Sequence, residues 1–391
     1  MKYEFDAFVS RENTCSVKWN YTKESVGVED ALPLWVADMD FETVPEVKEA
    51  ILARAQHGIY GYTARSESYY QTLIDWNQKR HGWKIEKRWI THSAGVVNGL
   101  FNAIRALAQP GDGIVIQSPV YHPFYSAIRK CGCKVILNPL KYVDHHYTPD
   151  IEDLEKKLKE SNVRLLILCN PHNPVGRVFT REELTAIGEL CLQYNVVVIS
   201  DEIHSDLVFK PYRHIPFASI SKDFEQNTVV CTAPSKTFNL AGLETSNIII
   251  PNEELRRKYD TLCENMAVKG FNIFGAVACE AAYKYGAEWL DGLLEYLEGN
   301  KKFAIGFIKE RIPKLKVNDP EGTYFLWLDC RELGFSKAEL ERFMLQKAKL
   351  WFNQGHIFGT EGEGFVRMNI ACQRKTVEEA MRRLENAVAS L

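Results

Sequence analysis

Six short and almost entirely apolar runs, separated by longer amphipathic stretches, lie in the middle of the chain. The runs occupy residues 113–117, 134–138, 164–170, 196–200, 228–232 and 246–250. Apolar runs of this length are typical of strands buried on both faces of a mostly parallel sheet. Between them, 151–159 follows Asp150 as a candidate cap, and Thr180 begins a capping-box pattern before 184–194. The alternation predicts an α/β domain with its ligand at the carboxyl ends of the strands.

The pattern changes in the last hundred residues. A helical stretch at 287–311 is followed by a strand at 322–329, a helix at 336–347 and a strand at 365–370. A chain of 391 residues exceeds the size at which one hydrophobic core usually stops growing. We therefore expect a large ligand-binding domain over 46–287, and a small α+β domain formed by 1–45 together with 288–391.

Composition and charge narrow the class of protein. The formal net charge of −3 argues against nucleic acid or an anionic membrane as the main partner. The first residues do not resemble a secretory signal, and no apolar run approaches the ~20 residues that cross a bilayer. The ten cysteines are scattered, and the spacing of Cys131 and Cys133 is too short for a CxxC metal or redox site. Free thiols in a cytoplasmic protein without a metal site are favoured over a disulfide framework.

Three polar segments directly follow predicted strands. They lie at 170–176, 201–204 and 233–238. Because the carboxyl ends of parallel strands meet at one edge of a sheet, we expect these segments to lie close together.

The residue types in these segments are those that pyridoxal 5′-phosphate chemistry needs. Lys236 is a candidate for the Schiff-base lysine, which binds the cofactor covalently and later moves protons. Asp201 is suited to keeping the pyridine nitrogen protonated. Asn173 is a candidate donor to the phenolic oxygen of the ring, and Tyr121 offers an aromatic face for stacking.

The phosphate needs backbone N–H groups and hydroxyls. Gly95, Val96 and Val97 precede an amphipathic stretch, so the start of a helix there offers N–H groups to an anion, and Ser235 adds a hydroxyl. Each signal has an ordinary alternative: a surface lysine, a capping aspartate, Asn-Pro turns, a core tyrosine or a turn glycine. Their occurrence together, each at the end of a strand, favours the cofactor site.

At these residues the chain resembles the fold-type I pyridoxal-phosphate enzymes, the aspartate aminotransferase superfamily. Within it, the chain is most similar to the MalY/PatB-type cystathionine β-lyases, which are carbon–sulfur lyases. The resemblance runs nearly end to end and rests on the motifs at 35–41, 60–62, 119–124, 170–177, 200–204, 235–239, 322–324 and 364–369. The Ala-Asp-Met-Asp-Phe and Asp-Glu-Ile-His segments favour the lyase branch over ordinary aminotransferases.

The resemblance implies roles for further residues. Arg367 is expected to bind the α-carboxylate of the substrate, for which a guanidinium fork suits better than a lysine. Ala37, Tyr62 and Asn173 complete the expected substrate contacts. Tyr62 is expected to reach the phosphate in the neighbouring subunit, which makes the active form a homodimer. His204 is expected to support the site rather than to take part in catalysis.

One position departs from the family pattern. Many relatives have an arginine eight residues after the lysine, where it pairs with the phosphate, and here the residue is Glu244. The lyase branch tends to lack that arginine. The departure leaves the phosphate to the helix start, Ser235 and Tyr62.

The reaction that the resemblance implies is an α,β-elimination. L-Cystathionine or a related cysteine S-conjugate would be cleaved to a thiol, pyruvate and ammonia. An aminotransferase is the alternative, because it needs the same lysine, aspartate and arginine. A regulatory protein that binds the cofactor is a further alternative, although no basic helix-turn-helix segment precedes the first motif.

Overall fold

A seven-stranded sheet forms the centre of the computed structural model, which describes residues 3–160, 162–268 and 272–391. Its strand order is β2-β10-β9-β8-β7-β3-β4, and β10 runs antiparallel to its neighbours while the other four pairs are parallel. The strands of the described chain are β1 (Leu32–Pro33), β2 (Ile90–Ser93), β3 (Gly113–Ile116), β4 (Lys134–Leu137), β5 (Lys141–Val143), β6 (His146–Thr148), β7 (Val163–Cys169), β8 (Val197–Asp201), β9 (Thr228–Thr232), β10 (Ser246–Ile249), β11 (Lys316–Val317), β12 (Phe325–Asp329), β13 (Leu350–Trp351), β14 (Asn353–Gln354) and β15 (Phe365–Asn369).

Helices cover both faces of this sheet. The α-helices of the described chain are α1 (Thr22–Val26), α2 (Pro45–Gln56), α3 (Glu67–Trp76), α4 (Val96–Leu107), α5 (Pro123–Lys130), α6 (Ile151–Leu158), α7 (Arg181–Gln193), α8 (Lys222–Gln226), α9 (Pro234–Thr237), α10 (Glu253–Asn265), α11 (Ile273–Tyr285), α12 (Ala287–Arg311), α13 (Lys337–Arg342) and α14 (Arg374–Ala389). Within the described ranges, no helix combines the length and apolar character needed to cross a bilayer.

Alternating side chains of the central strands belong to different apolar clusters. Ile114 packs in one cluster with side chains of α4 and α5, whereas its neighbour Val115 packs in another with side chains of α6 and α7. Successive residues of a strand point to opposite faces of the sheet, so a strand covered on both faces must be apolar throughout. This explains why the runs in the sequence do not alternate, and the predicted α/β class with a mostly parallel sheet is confirmed.

A second, antiparallel sheet has the order β11-β12-β15-β14. A third apolar cluster includes side chains of this sheet and of α12 and α14, together with residues of the N-terminal segment such as Leu34 and Phe41. In addition, β1 pairs in parallel with β13. The N-terminal segment is therefore built into the C-terminal part of the structure.

The strands and helices predicted from the sequence all have counterparts in the structure, which also contains elements that were not predicted. The side chains of Asp150 and Thr180 cap α6 and α7 as predicted. The edge strand β2 was not predicted. The helix predicted at 336–347 is α13 followed by the π-helical turn Phe343–Lys347.

A buried guanidinium joins three parts of the chain that are far apart in sequence. Arg177 Nε donates to Glu321 Oε2 at 2.9 Å, and its Nη2 donates to Glu183 Oε2 at 2.8 Å. The Nη1 group donates to the carbonyl of Tyr147. The side chains of Arg177 and Glu321 are only 5% and 8% exposed. Removing one member of such a pair leaves the other charge buried without compensation.

We expect Arg177→Met to lower the free energy of unfolding by about 3 kcal/mol, because Glu321 then remains buried without its cation. The measurement is urea denaturation followed by tryptophan fluorescence.

The matched control is Arg382→Met, since Arg382 is 60% exposed and pairs with Glu379. An exposed pair of this kind contributes no more than about 1 kcal/mol. Equal losses of stability in the two variants would contradict the inference that Arg177 compensates a buried charge.

Candidate active site

A cavity of about 250 Å³ lies at the edge of the large sheet where β7, β8 and β9 end. Nine of the residues predicted from the sequence line it: Ala37, Gly95, Val96, Val97, Tyr121, Asn173, Asp201, Ser235 and Lys236. Arg367 reaches it through a hydrogen bond to Asn173. Tyr62 does not line it. The cavity therefore brings together residues from six separate segments of the chain.

Lys236 lies in the four-residue helix α9, which follows β9 directly. Its Nζ donates to the carbonyl of Ala37 at 2.7 Å. Burial lowers the pKa of Lys236 to about 8, and the nearby charge of Arg367 acts in the same direction while Asp38 opposes it. A substantial fraction of this amine is thus neutral, and therefore nucleophilic, near physiological pH.

Asp201 is the last residue of β8 and is only 3% exposed. Burial raises its pKa to about 7, the charge of Glu202 adds to the rise, and a hydrogen bond from the Ile203 N–H at 3.2 Å opposes it. A positive charge beside Asp201 would favour its ionised form. The carboxylate is therefore suited to partner a protonated ring nitrogen.

Arg367 lies in β15, between the rings of Phe325 and Phe358, which are 4.0 and 5.0 Å from its Cζ atom. Its two terminal nitrogens donate to Asn173 Oδ1 and to the Trp35 carbonyl, both at 2.8 Å. Both partners are neutral oxygens, and burial lowers the pKa of Arg367 to about 10. Its Nε is buried and has no hydrogen-bond partner among the described residues. A guanidinium in this state is suited to bind a carboxylate.

The start of α4 forms one end of the cavity. Gly95 is the N-cap residue with φ of 84°, a left-handed conformation that favours glycine. The backbone N–H groups of a first helical turn have no partner within the helix, so they are available to an anion. Ser235, Glu244 and Thr245 also line the cavity, so a carboxylate side chain is part of the lining.

Aromatic and imidazole rings complete the wall. Tyr121 lines the cavity, and burial raises the pKa of its hydroxyl. His204 also lines it, with its ring 5.8 Å from Tyr324. Burial, together with the charges of Lys236 and Arg367, lowers the pKa of His204 well below its ordinary value. The imidazole is therefore neutral.

The backbone of residues 35–41 is held against this cavity by side chains from distant segments. The Ala37 carbonyl accepts from Tyr324 Oη at 3.0 Å as well as from Lys236. Asn369 Nδ2 donates to the carbonyls of Val36 and Asp38, both at 2.7 Å. The hydrogen bonds satisfy backbone groups that would otherwise be buried without partners.

A group of charged side chains fixes the same loop from its other side. Lys18, whose side chain is fully buried, donates to Asp40 Oδ2 at 2.7 Å. Arg11 donates to Asp38 Oδ2 at 2.9 Å. The N-terminal segment thus determines where the Ala37 carbonyl lies relative to Lys236.

Tyr60 and Tyr62 lie outside the cavity of this chain. Tyr62 is fully exposed, and Tyr60 donates its hydroxyl to the Ala55 carbonyl at 2.7 Å. Neither tyrosine therefore contributes to the cavity of its own chain.

No role was assigned to Thr245, Ile203 or Tyr324 from the sequence alone. Thr245 lines the cavity because it precedes β10, and the start of an antiparallel strand lies beside the carboxyl ends of its parallel neighbours. Ile203 also lines the cavity. Because it lies only two residues after Asp201, its place in the site was predictable from the sequence. In the sequence, Tyr324 is distinguished only by belonging to the family motif at 322–324. Its contact with Ala37 joins residues 287 positions apart, which no local pattern indicates.

The donor set fits pyridoxal phosphate. Asn173 Oδ1 is taken by Arg367, which leaves Nδ2 as the donor of that amide. Lys236, Asp201, the helix start and Tyr121 supply an amine, a carboxylate, N–H groups and an aromatic face in one cavity. In the described part of the chain, no group of three or more His, Cys, Asp or Glu side chains is arranged to hold a metal ion.

Comparison with known proteins agrees with this geometry. The family model described as aminotransferase class I and II matches residues 29–384. The chain is 46% identical over 385 residues to cystathionine beta-lyase PatB of Bacillus subtilis, covering 98% of this chain and all of that protein.

Two solved structures are similar over nearly the whole chain. Cystalysin from Treponema denticola, which contains pyridoxal 5′-phosphate, is 39% identical with a TM-score of 0.97, and the similarity covers both chains completely. The pyridoxal-phosphate-bound C–S lyase from Staphylococcus hominis is 32% identical with a TM-score of 0.92, covering 99% of this chain and 98% of that one. The predicted fold family is confirmed.

The lowered pKa of Lys236 predicts how its reactivity depends on pH. In the cofactor-free protein, the neutral amine should increase with a midpoint near pH 8 rather than near ~10.4, the ordinary value for lysine. Because the shift is downward, Lys236 should become acetylated at a pH where ordinary lysines are still protonated. Trace acetylation followed by peptide mass spectrometry measures this profile.

An added lysine-containing reference peptide calibrates the reagent in each sample. The Lys236→Met variant, which should lack the signal, identifies the peptide. A midpoint for Lys236 that coincides with that of the reference peptide would contradict the assignment.

Proposed function

The chain belongs to the aminotransferase class I and II family, and we propose that it is a pyridoxal-phosphate-dependent carbon–sulfur β-lyase. It would cleave L-cystathionine or a related cysteine S-conjugate by α,β-elimination to a thiol, pyruvate and ammonia. The observation that carries the reaction type is the 46% identity to a cystathionine beta-lyase over 98% of the chain. The cavity residues alone would serve an aminotransferase equally well.

The cofactor would be held by Lys236, Asp201, Asn173, Tyr121 and the first turn of α4, with Ser235 beside the lysine. When bound, pyridoxal phosphate supplies an electron sink that makes the α-proton of an amino acid acidic. Asp201 supports this chemistry by keeping a negative charge at the ring nitrogen.

Lys236 moves the proton. Its amine, with a pKa lowered to about 8, takes the proton from Cα of the substrate. The Cβ–S bond then breaks, and the electron pair leaves with the sulfur as a thiolate. Addition of water to the three-carbon fragment of the amino acid then gives pyruvate and ammonia.

Arg367 orients the substrate. Its terminal nitrogens contact only neutral oxygens, so a substrate α-carboxylate would be its first anionic partner at the site. Two parallel N–H···O bonds would fix the carboxylate, and the Cα–H bond could then point at Lys236. Ala37, whose carbonyl already contacts Lys236, would lie beside the same substrate.

The assembly proposed for the active form is a homodimer. Its support is Tyr62, which is fully exposed in one chain although it lies in a motif shared with the lyases. The hydroxyl would reach the phosphate in the partner subunit and help to offset the absence of an arginine at Glu244. A cytoplasmic location is also proposed, because all ten cysteines are free and the cytoplasm is reducing.

We also propose that the chain is divided into a large and a small domain at about residues 45 and 287. This division is supported by the two sheets, since β2–β4 and β7–β10 form the large one, whereas β11, β12, β14 and β15 form the small one. The pairing of β1 with β13 supports assigning the first 45 residues to the small domain.

We expect the purified protein to release pyruvate from L-cystathionine without any added keto acid. The Lys236→Ala variant should lose at least ~10³-fold in kcat, because neither the covalent bond to the cofactor nor the proton transfer remains. The assay is the coupled oxidation of NADH by lactate dehydrogenase.

The control is Lys302→Ala, since Lys302 is 74% exposed, and its rate should equal that of the wild type. Amino transfer that depends on a keto acid, without pyruvate release, would make the protein an aminotransferase. A visible absorption band without any turnover would favour a regulatory protein.

Mixing two inactive variants tests the shared site. Lys236→Ala and Tyr62→Ala subunits should each be impaired, whereas a hybrid dimer contains one intact site. Random reassortment of a two-fold dimer should restore about a quarter of the wild-type activity. A mixture no more active than the sum of its components would contradict the role of Tyr62 across the interface.

A further inference from the structure

Lys236 is held by a helix that cannot be stable by itself. Helix α9 has only four residues, and one helical turn does not repay the entropy of ordering its backbone. The direction of the lysine side chain therefore depends on what fixes the backbone around it. The residue that follows the lysine, Thr237, is 1% exposed and has such an anchor.

The anchor is the carboxylate of Asp206. Thr237 Oγ1 donates to Asp206 Oδ2 at 2.8 Å. Threonine is β-branched and therefore stiff about its first side-chain torsion, so its hydroxyl direction is tied closely to its backbone. A bond to that hydroxyl consequently restrains the backbone of Lys236 as well.

Asp206 is itself fixed from two other segments. Its Oδ1 accepts from Trp76 Nε1 at 3.0 Å and from His81 Nε2 at 2.9 Å. Trp76 ends helix α3, and His81 ends the π-helical turn that follows it. Asp206 is 5% exposed, so all three bonds lie away from bulk water. Burial would raise the pKa of Asp206, but the bonds from His81 and Thr237 lower it, so the carboxylate stays ionised.

Asp206 does not line the cavity and touches neither the cofactor position nor the Lys236 amine. We propose that Asp206 is a positioning residue. By linking Thr237 to Trp76 and His81 through its carboxylate, it sets the direction of the Lys236 side chain. The proposal requires Lys236 to carry the cofactor, but it does not depend on which reaction follows.

The test is a pair of nearly isosteric substitutions at Thr237 in the cofactor-loaded enzyme. Thr237→Val keeps the shape but removes the donor, and we expect kcat to fall about ten-fold or more while KM stays within about two-fold. The bound pyridoxal phosphate should also be lost faster on dilution, as followed by its visible absorbance. Thr237→Ser keeps the hydroxyl and should restore both properties.

Recovery by serine is the result that a packing role would not produce, because serine removes the methyl group and keeps only the hydrogen bond. A valine variant with wild-type properties would overturn the proposal, as would a serine variant as impaired as valine. Thr237→Ala also lacks the hydroxyl and repeats the test if valine disturbs packing.

Asp206→Asn provides an independent arm. If Asp206 acts through Thr237, the two substitutions should be non-additive, and Asp206→Asn should lower kcat little further in the Thr237→Val background. Full additivity would overturn the proposal. Absence of a visible band in the wild-type enzyme would overturn the proposed function as well, whereas failure confined to the Thr237 series leaves that function intact.

Discussion

Burial of charge is the constraint on which the site depends. Asp201 and Arg367 are buried and Lys236 is partly buried, and burial is the largest influence on the pKa of each. Burial moves each group toward its neutral form, which is the direction that desolvation imposes on any ionisable group. The hydrogen-bond partners of Lys236 and Arg367 are neutral oxygens. A ligand that brings a carboxylate and a protonated ring nitrogen supplies the missing opposite charges, so the occupied cavity is better compensated than the empty one.

The pattern of apolar residues in the sequence predicted the large sheet because helices cover its central strands on both faces. A strand covered on both faces must be apolar throughout, so the six runs of that kind could be recognised in the sequence. The strand β2 escaped detection because three of its four residues are polar and the middle two are partly exposed. The caps of α6 and α7 were predictable, since a capping box is encoded within four residues.

The site was predictable where chemistry sits at strand ends and less so where it depends on distant contacts. Asn173 and Lys236 follow strands and Asp201 ends one, so the topology brings them together. Nothing near Tyr324 or Asn369 in the sequence indicates that their side chains hold the backbone around Ala37. The resemblance to a known family drew attention to Arg367, and the structure shows why it is available: aromatic rings and neutral oxygens surround it.

The loop around Ala37 has a consequence for how the protein matures. Its anchors come from both ends of the chain: Arg11 and Lys18 near the start, and Tyr324 and Asn369 near the finish. During synthesis, the segments that carry Asp201 and Lys236 leave the ribosome well before Asn369 does. The wall of the cavity that the Ala37 loop forms beside Lys236 is therefore completed only after β15 has docked against that loop.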